Sequence, residues 1–237
     1  EVESPETCRD HTERMLCGFG YDVRVDNLTV TLSGGGKLVA NDVHVPGDVS
    51  SAAFFLMGAS IAPGSDLTLR HVGMNPTRRG VVDILRLMGA DITALNEHDS
   101  SGEPVADLRV RYAPLRGISI PSDLVANAID EFPSIFVAAA CADGVTELSG
   151  AAELRVKESD RIGAMADGLA TLGVNAQARA DGMVIKGVGG DSPAFRGGRV
   201  TSRGDHRIAM SLGMAALRAS AAVVVEDCDN VATSFPS

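Results

Sequence analysis

The chain repeats one grammar three times, and that repetition limits its fold more than any single motif does. In each copy an amphipathic helix ends in glycine and a strand follows at once. The helix ends are Phe19-Gly20, Met88-Gly89 and Leu172-Gly173, and the strands begin at Tyr21, Ala90 and Val174. A glycine just past a helix takes the left-handed conformation that closes it. In the third helix Ile162, Met165, Ala166, Leu169 and Leu172 recur at helical spacing, with Ser159 as the expected N-cap and Asp160 in the first turn. Val81, Ile84, Leu85 and Met88 do the same in the second. The first is expected to be capped by Thr12 and carries Met15, Leu16 and Phe19.

Each helix is followed by a strand pair. Residues 23–25 turn at Asp26-Asn27 into 28–32, and residues 174–178 turn near Asp181-Gly182 into 183–185. The middle copy is expected to carry a longer loop, 98–104, before its strand at 108–112. Next come a short strand, a loop with an acid (Asp48, Asp130 or Asp205) and a helix of small residues at 51–61, 134–142 or 208–219. Alanine and glycine let backbones approach closely, so these helices are expected at the centre. Strands at 67–70, 145–148 and 223–226 close each copy. The glycine and aspartate spacings set a unit of about 70–85 residues. The expected fold is α/β (α+β): repeated units with buried helices and outer sheets. By this period the chain enters its first copy late, near the second helix. It stops at Ser237, where a further amphipathic helix is due, so both ends read as cut.

Composition narrows the function. The 237 residues carry a net charge of −10, which argues against a duplex nucleic-acid binder. No apolar run is long enough to span a bilayer, so no membrane partner is expected. No signal peptide is evident. Cys8, Cys17, Cys141 and Cys228 show neither CxxC nor Cys/His metal spacing, and they suggest a reducing, cytoplasmic setting. No metal is expected. No P-loop, dinucleotide fingerprint or GxSxG elbow is present.

An acidic chain that handles anions must gather cations locally, and several loops do so. Arg9-Asp10-His11 precedes the first helix. Arg155, Lys157 and Arg161 surround Glu158 and Asp160. Arg203, His206 and Arg207 flank Asp205, and Arg78-Arg79 make a fourth loop. Helix starts offer unpaired N–H groups to anions, and arginine adds bidentate recognition. A carboxylate among such cations can orient a hydroxyl or move a proton. The same residues also suit solvated caps and surface ion pairs.

Five strings sharpen the reading. They are Cys8-Arg9-Asp10-His11-Thr12-Glu13-Arg14-Met15-Leu16, Val45-Pro46-Gly47-Asp48-Val49-Ser50-Ser51-Ala52, Leu154-Arg155-Val156-Lys157-Glu158-Ser159-Asp160-Arg161, Asp205-His206-Arg207-Ile208-Ala209-Met210 and Ala232-Thr233-Ser234-Phe235-Pro236. In this order they resemble the 5-enolpyruvylshikimate-3-phosphate synthases, from Arg9 to Pro236. Ile129-Asp130-Glu131-Phe132-Pro133, Asn75-Pro76-Thr77-Arg78 and Thr233 look closest to the bacterial subgroup noted for glyphosate tolerance.

The resemblance implies two domains of three βαβαββ units each. Residues 1–44 would end the shikimate-phosphate-side domain. Residues 45–237 would form most of the second, without its C-terminal helix. It implies transfer of the carboxyvinyl group of phosphoenolpyruvate to the 5-hydroxyl of shikimate 3-phosphate, with release of phosphate and no cofactor. Residue by residue it implies that Asp130 orients or deprotonates the 5-hydroxyl and that Lys157 contacts it. Glu158 would transfer a proton at the vinyl methylene, with His206 near the phosphoenolpyruvate phosphate. Arg161 and Arg207 would clamp that substrate, and Arg9 would contact the shikimate phosphate side. The family's N-terminal half, with further phosphate-binding residues, does not occur in this chain, so little turnover is expected of it alone. Two other readings are a transferase acting on a UDP-amino sugar, which shares the fold, and a non-catalytic binding module.

Overall fold

The computed structural model describes residues 1–5 and 8–235; Pro236, which closes the last string, lies outside the described residues. The repeat is present as sheets and helices in fixed order. The first sheet joins β1 (Val2–Glu3), β2 (Val23–Asp26) and β3 (Thr29–Leu32), with α1 (His11–Gly18) between β1 and β2. β1 shows that the chain enters its first copy one strand before the helix, earlier than the period suggests. Residues 33–46 then run without helix or strand to α2 (Val49–Ile61).

The second copy follows as β4 (Asp66–Gly73), α3 (Gly80–Leu87), β5 (Asp91–Ser100) and β6 (Glu103–Arg111). A single turn, α4 (Ser122–Val125), leads to α5 (Phe132–Cys141), β7 (Asp143–Leu148), α6 (Arg161–Thr171), β8 (Asn175–Arg179) and β9 (Gly182–Val188). β10 (Gly198–Thr201), α7 (His206–Ala215) and β11 (Val223–Glu226) begin another copy. In each antiparallel sheet the last strand of the hairpin lies in the middle: β1-β3-β2, β4-β6-β5 and β7-β9-β8. β10 and β11 pair in parallel around α7, and single parallel bridges at Gly47–Val72 and Ser119–Glu147 mark the same crossover around α2 and α5.

The small-residue helices form the centre, as their composition requires. All ten residues of α5 are buried, and α5 touches both α2 and α7. Phe132 and Phe136 stack on α5 with ring centroids 5.9 Å apart. α3 and α6 bury Val81, Ile84, Leu85, Ile162, Met165 and Leu169 beside the sheets. α1 differs: none of its residues is buried and Met15 is 52% exposed, so its apolar stripe is only partly covered among the described residues. Among the described residues no helix is long and apolar enough to cross a membrane.

Three local expectations need correction. Residues 98–104 are strand ends joined by a tight turn at Ser101-Gly102, both at positive φ, as a primed two-residue hairpin turn demands. Alternation is lost there because bulges at His71 and Asn96, each at φ 52°, break the register, and Asp107 binds both the His71 N–H and the Asn96 amide. Asp160, not Ser159, caps α6 by accepting from Gly163 N–H at 2.9 Å, since the Ser159 hydroxyl bonds Asp205 instead. Asp10, not Thr12, precedes α1, and its carboxylate binds Arg14 and Asn75 rather than the helix end.

Two glycines test how rigid the centre is. A Cβ on Gly187 in β9 would run into the carbonyl oxygens of Ala142 and Ala139, which cannot retreat without unwinding the end of α5. A Cβ on Gly58 in α2 would meet first the mobile end of Met214. Gly187→Ala is therefore expected to destabilise by about 3 kcal/mol and Gly58→Ala by about 1 kcal/mol or less, read from urea midpoints. Equal losses would contradict this ordering.

Candidate active site

The starts of the central helices converge, and the charged loops meet there. Asp48 caps α2 through the Ser50 and Ser51 N–H groups, and Asp205 caps α7 through those of Arg207 and Ile208. In the middle copy the capping position falls on Glu131, so Asp130 stands one residue before the cap with its carboxylate free of capping. That carboxylate is the focus of the cluster. Arg9 Nη2 lies 2.8 Å from Asp130 Oδ2, while Arg161 Nη1 and Lys157 Nζ lie 3.4 Å and 3.5 Å from Oδ1. Arg207 Nη1 donates to the Asp130 carbonyl and to Glu131 Oε1, at 3.2 Å each.

Arg161 joins these groups from below. Its side chain has no exposed surface, and its nitrogens bind Asp205 Oδ2 at 2.9 Å, Asp130 and Glu158 Oε2. Glu158 is 54% exposed on the open side of this pair. An anion reaching Arg161 Nη2 must therefore displace Glu158. Ser159 completes the arrangement by donating to Asp205 at 3.1 Å. His206 is half-buried at the start of α7, and its ring makes no hydrogen bond among the described residues.

Electrostatics follow from this crowding. Burial pushes the Asp130 carboxyl upward, but Arg207, Arg9 and Lys157 outweigh it and hold it at about 2, against an ordinary 3.8. Burial also opposes the Asp205 charge, and Arg161 overcomes it, leaving that carboxyl low. Lys157 loses some solvation, yet Glu153 and Asp130 keep its ammonium above the ordinary value. A group titrating at about 2 is a hydrogen-bond acceptor near neutral pH and a weak base.

Contacts at the start of α1 place Arg9. Asn75 Nδ2 donates to Asp10 at 2.7 Å and to Glu103 at 3.0 Å, His11 Nδ1 lies 2.6 Å from Glu103, and Arg14 reaches the Gly102 carbonyl at 3.1 Å. The start of α1 is thereby tied to the β5–β6 turn. A cavity of about 270 Å³ beside this junction, lined by Met15, Phe19, Val43, Val45 and Pro46, shares only Asp48 and Arg78 with the cluster.

Arg9, Asp130, Glu158, Lys157, Arg161, His206 and Arg207 thus gather around the helix starts. Three cations grouped with them do not: the first, Arg79, pairs with Asp83 of α3 at 3.2 Å. Arg155 fastens the β8–β9 turn through the Ala180 carbonyl at 2.7 Å and pairs with Asp160. Arg203 pairs with Asp167 on α6. Arg78, from the fourth cationic loop, does join the cluster, and Ser50 and Glu131 enter it without having been singled out as its members. The only sequence signal of these two is a place at or near a helix start within two residues of an acid. No group of three or more His, Cys, Asp or Glu among the described residues could hold a metal ion.

Buried parallel-bridged helices under three-stranded antiparallel sheets define the enolpyruvyl transferase class of fold. The enolpyruvyl transferase NikO from Streptomyces tendae shares it at TM-score 0.63 and 16% identity, covering 97% of this chain and 51% of that one. The particular family is narrower. The model of the EPSP synthase (3-phosphoshikimate 1-carboxyvinyltransferase) family matches residues 1–237, and the chain belongs to that family. The EPSP synthase of Acinetobacter baumannii superposes at TM-score 0.96 with 54% identity, covering 99% of this chain and 54% of that one. The 3-phosphoshikimate 1-carboxyvinyltransferases of Alkalilimnicola ehrlichii and Methylococcus capsulatus are 64% and 62% identical over 99% and 100% of this chain. The chain spans about half the length of these relatives, 52% and 53% respectively.

Asp130 gives the cluster a signature in pH. Its folded value lies below the ordinary 3.8, so its ion pairs stabilise the fold fully above that pH, and the gain is lost as pH falls through about 2. Asp130→Asn is expected to cost about 2 kcal/mol at pH 7 in urea unfolding, with the gap from the parent closing toward pH 2. A gap independent of pH would remove Asp130 from the centre of the charge network.

Proposed function

We propose that the whole protein transfers the carboxyvinyl group of phosphoenolpyruvate to the 5-hydroxyl of shikimate 3-phosphate and releases phosphate. The observation that carries this reading is the convergence of Arg9, Lys157 and Arg161 on one ionised carboxylate at the helix starts, with Arg207 on the main-chain carbonyl of the same residue, in a chain of the EPSP synthase family. Both substrates are polyanions, so they must be assembled against cations and unpaired helix N–H groups.

In this proposal Asp130 accepts a hydrogen bond from the 5-hydroxyl and orients its oxygen, a task suited to a carboxyl held at about 2. Lys157 lies against the same carboxylate and contacts that hydroxyl. Arg9 faces the shikimate phosphate side. Arg207 and Arg161 clamp phosphoenolpyruvate, with His206 near its phosphate. The substrate carboxylate takes the place of Glu158 on Arg161, and Glu158 is freed to act at the methylene. The hydroxyl oxygen bonds to C2 as its proton passes to Asp130, while C3 takes a proton from the Glu158 carboxyl and becomes a methyl group. In the elimination C3 returns a proton, the C2=C3 bond re-forms and the C2–O bond to phosphate breaks. The tetrahedral adduct thus needs an acid and a base at one place, and Glu158 serves as both.

We assign residues 1–44 to the end of one domain and 45–237 to most of a second, with the substrates between them. The remaining phosphate contacts lie in the part of the relatives that this chain does not span. Residues 1–237 alone are therefore expected to release phosphate far more slowly than the whole protein. We place the enzyme in the cytoplasm, where its free Cys8, Cys17, Cys141 and Cys228 would stay reduced.

Glu158→Gln in the whole protein separates proton transfer from binding. It is expected to lower kcat by about 10²- to 10⁴-fold while the KM values change by about threefold or less, read from steady-state phosphate release. Near-parental turnover would take Glu158 out of the proton-transfer role. A parent that releases no phosphate from the two substrates, or that binds a UDP-amino sugar instead, would overturn the reaction itself.

A further inference from the structure

Glu131 is a buried carboxylate that the proposed chemistry does not use. It is 4% exposed and stands at the capping position of α5, yet its side chain makes no capping bond. At the matching positions of α2 and α7, Asp48 and Asp205 both cap their own helices. The main-chain carbonyl of Glu131 starts α5, accepting from Ser134 and Ile135 N–H, so the helix needs nothing from the carboxylate. The side chain turns instead toward the two neighbouring helices. Oε1 accepts from Ser50 Oγ of α2 at 2.6 Å and from Arg207 Nη1 of α7 at 3.2 Å.

The contact continues outward in one direction of donation. Arg78 Nη2 donates to Ser50 Oγ at 2.7 Å and to Asp48 Oδ1 at 2.9 Å, and the Ser50 hydroxyl in turn donates a hydrogen bond to Glu131. Asp48, Arg78, Ser50, Glu131 and Arg207 therefore form a connected chain across the starts of all three central helices. Burial makes the carboxylate costly here and pushes its proton affinity up, against the pull of Ser50 and Arg207. A feature that weakens folding and caps nothing needs another reason to be there.

Arg207 supplies that reason. It is a long side chain with large rotamer freedom, 17% exposed, beside an Asp130 carboxylate that already attracts Arg9, Lys157 and Arg161. Left unheld, it would be drawn into direct contact with that carboxylate. Glu131 and the Asp130 carbonyl engage only Nη1 among the described residues, which leaves the other guanidinium nitrogens for an incoming anion.

We propose that Glu131 is a positioning residue, which holds Arg207 off the Asp130 carboxylate and aims it at the phosphoenolpyruvate anion through the Ser50–Arg78 chain. This inference rests on the proposed function. It assigns Glu131 no contact with substrate, so its effect must travel through Arg207.

The test uses the whole protein and phosphate release, with each substrate varied in turn. Glu131→Gln keeps the shape and removes the charge. It is expected to raise KM for phosphoenolpyruvate about tenfold, with kcat and KM for shikimate 3-phosphate within about twofold of the parent. Ser50→Ala is expected to move the same constant about threefold, and Glu131→Asp, which keeps the charge, to recover part of the loss. An unchanged KM for phosphoenolpyruvate in Glu131→Gln would overturn the inference. So would a uniform change in all three constants with a lowered Tm, the mark of a merely structural role. If the parent shows no turnover, the functional reading fails, and crystal structures of parent and Glu131→Gln decide the positioning claim. Arg207 swung onto Asp130 in the variant supports it, and Arg207 unmoved overturns it.

Discussion

The fully buried guanidinium of Arg161 sets the terms for everything around it. A buried charge without partners is prohibitive, and removing one partner of a buried pair costs about 3–5 kcal/mol. Arg161 therefore requires carboxylates from several parts of the chain: Asp205 from the start of α7, Asp130 from the turn before α5, and Glu158 from its own loop. Meeting that need brings α5, α6 and α7 to one point. Asp205 answers two demands together, since the same carboxylate caps α7 and pairs with Arg161. The fold and the site are thus held by one set of contacts.

The packing of small-residue helices makes this convergence possible. α2, α5 and α7 approach closely because alanine, glycine and serine line their contacts, and their N-termini come together with them. Each start brings unpaired N–H groups and a partial positive charge. The acids in the loops neutralise part of that field, and the arginines and Lys157 restore it toward the open side. A protein of net charge −10 can in this way bring several cations to one point where small anions can compete for them.

Much of this was legible in the sequence, because helical and strand periods and closing glycines are local signals. Gly20, Gly89 and Gly173 all sit at positive φ just past their helices. The small-residue helices lie at the centre as their composition requires. What escaped was decided by contacts across the chain. Ser159 looks like a cap by type, but Asp205 is 46 residues away in sequence and takes its hydroxyl. Arg155 and Arg161 are equivalent in spacing, yet one fastens a β-turn and the other is sunk among carboxylates. The turn at Ser101-Gly102 hid behind two bulges that erased the alternation. Beyond its place beside Asp130 at a helix start, Glu131 carried no signal of its role, because its partners Ser50 and Arg207 lie in other copies of the repeat.

A repeat of this kind gives each copy the same acid at the same place, and the middle copy departs from it by one residue. Asp48 and Asp205 are consumed as helix caps, so neither can serve as a free acceptor. With Glu131 in the capping position, Asp130 moves one step back along the chain. Its carboxylate is released from capping and turned toward Arg9, Lys157 and Arg161. The surplus acid, Glu131, is then free to tie α2 to α7 rather than to close α5. A single-residue offset in an otherwise regular architecture therefore accounts for two features that the symmetric copies lack: an uncapped acceptor at the centre of the cations, and a buried carboxylate linking the helix starts behind it.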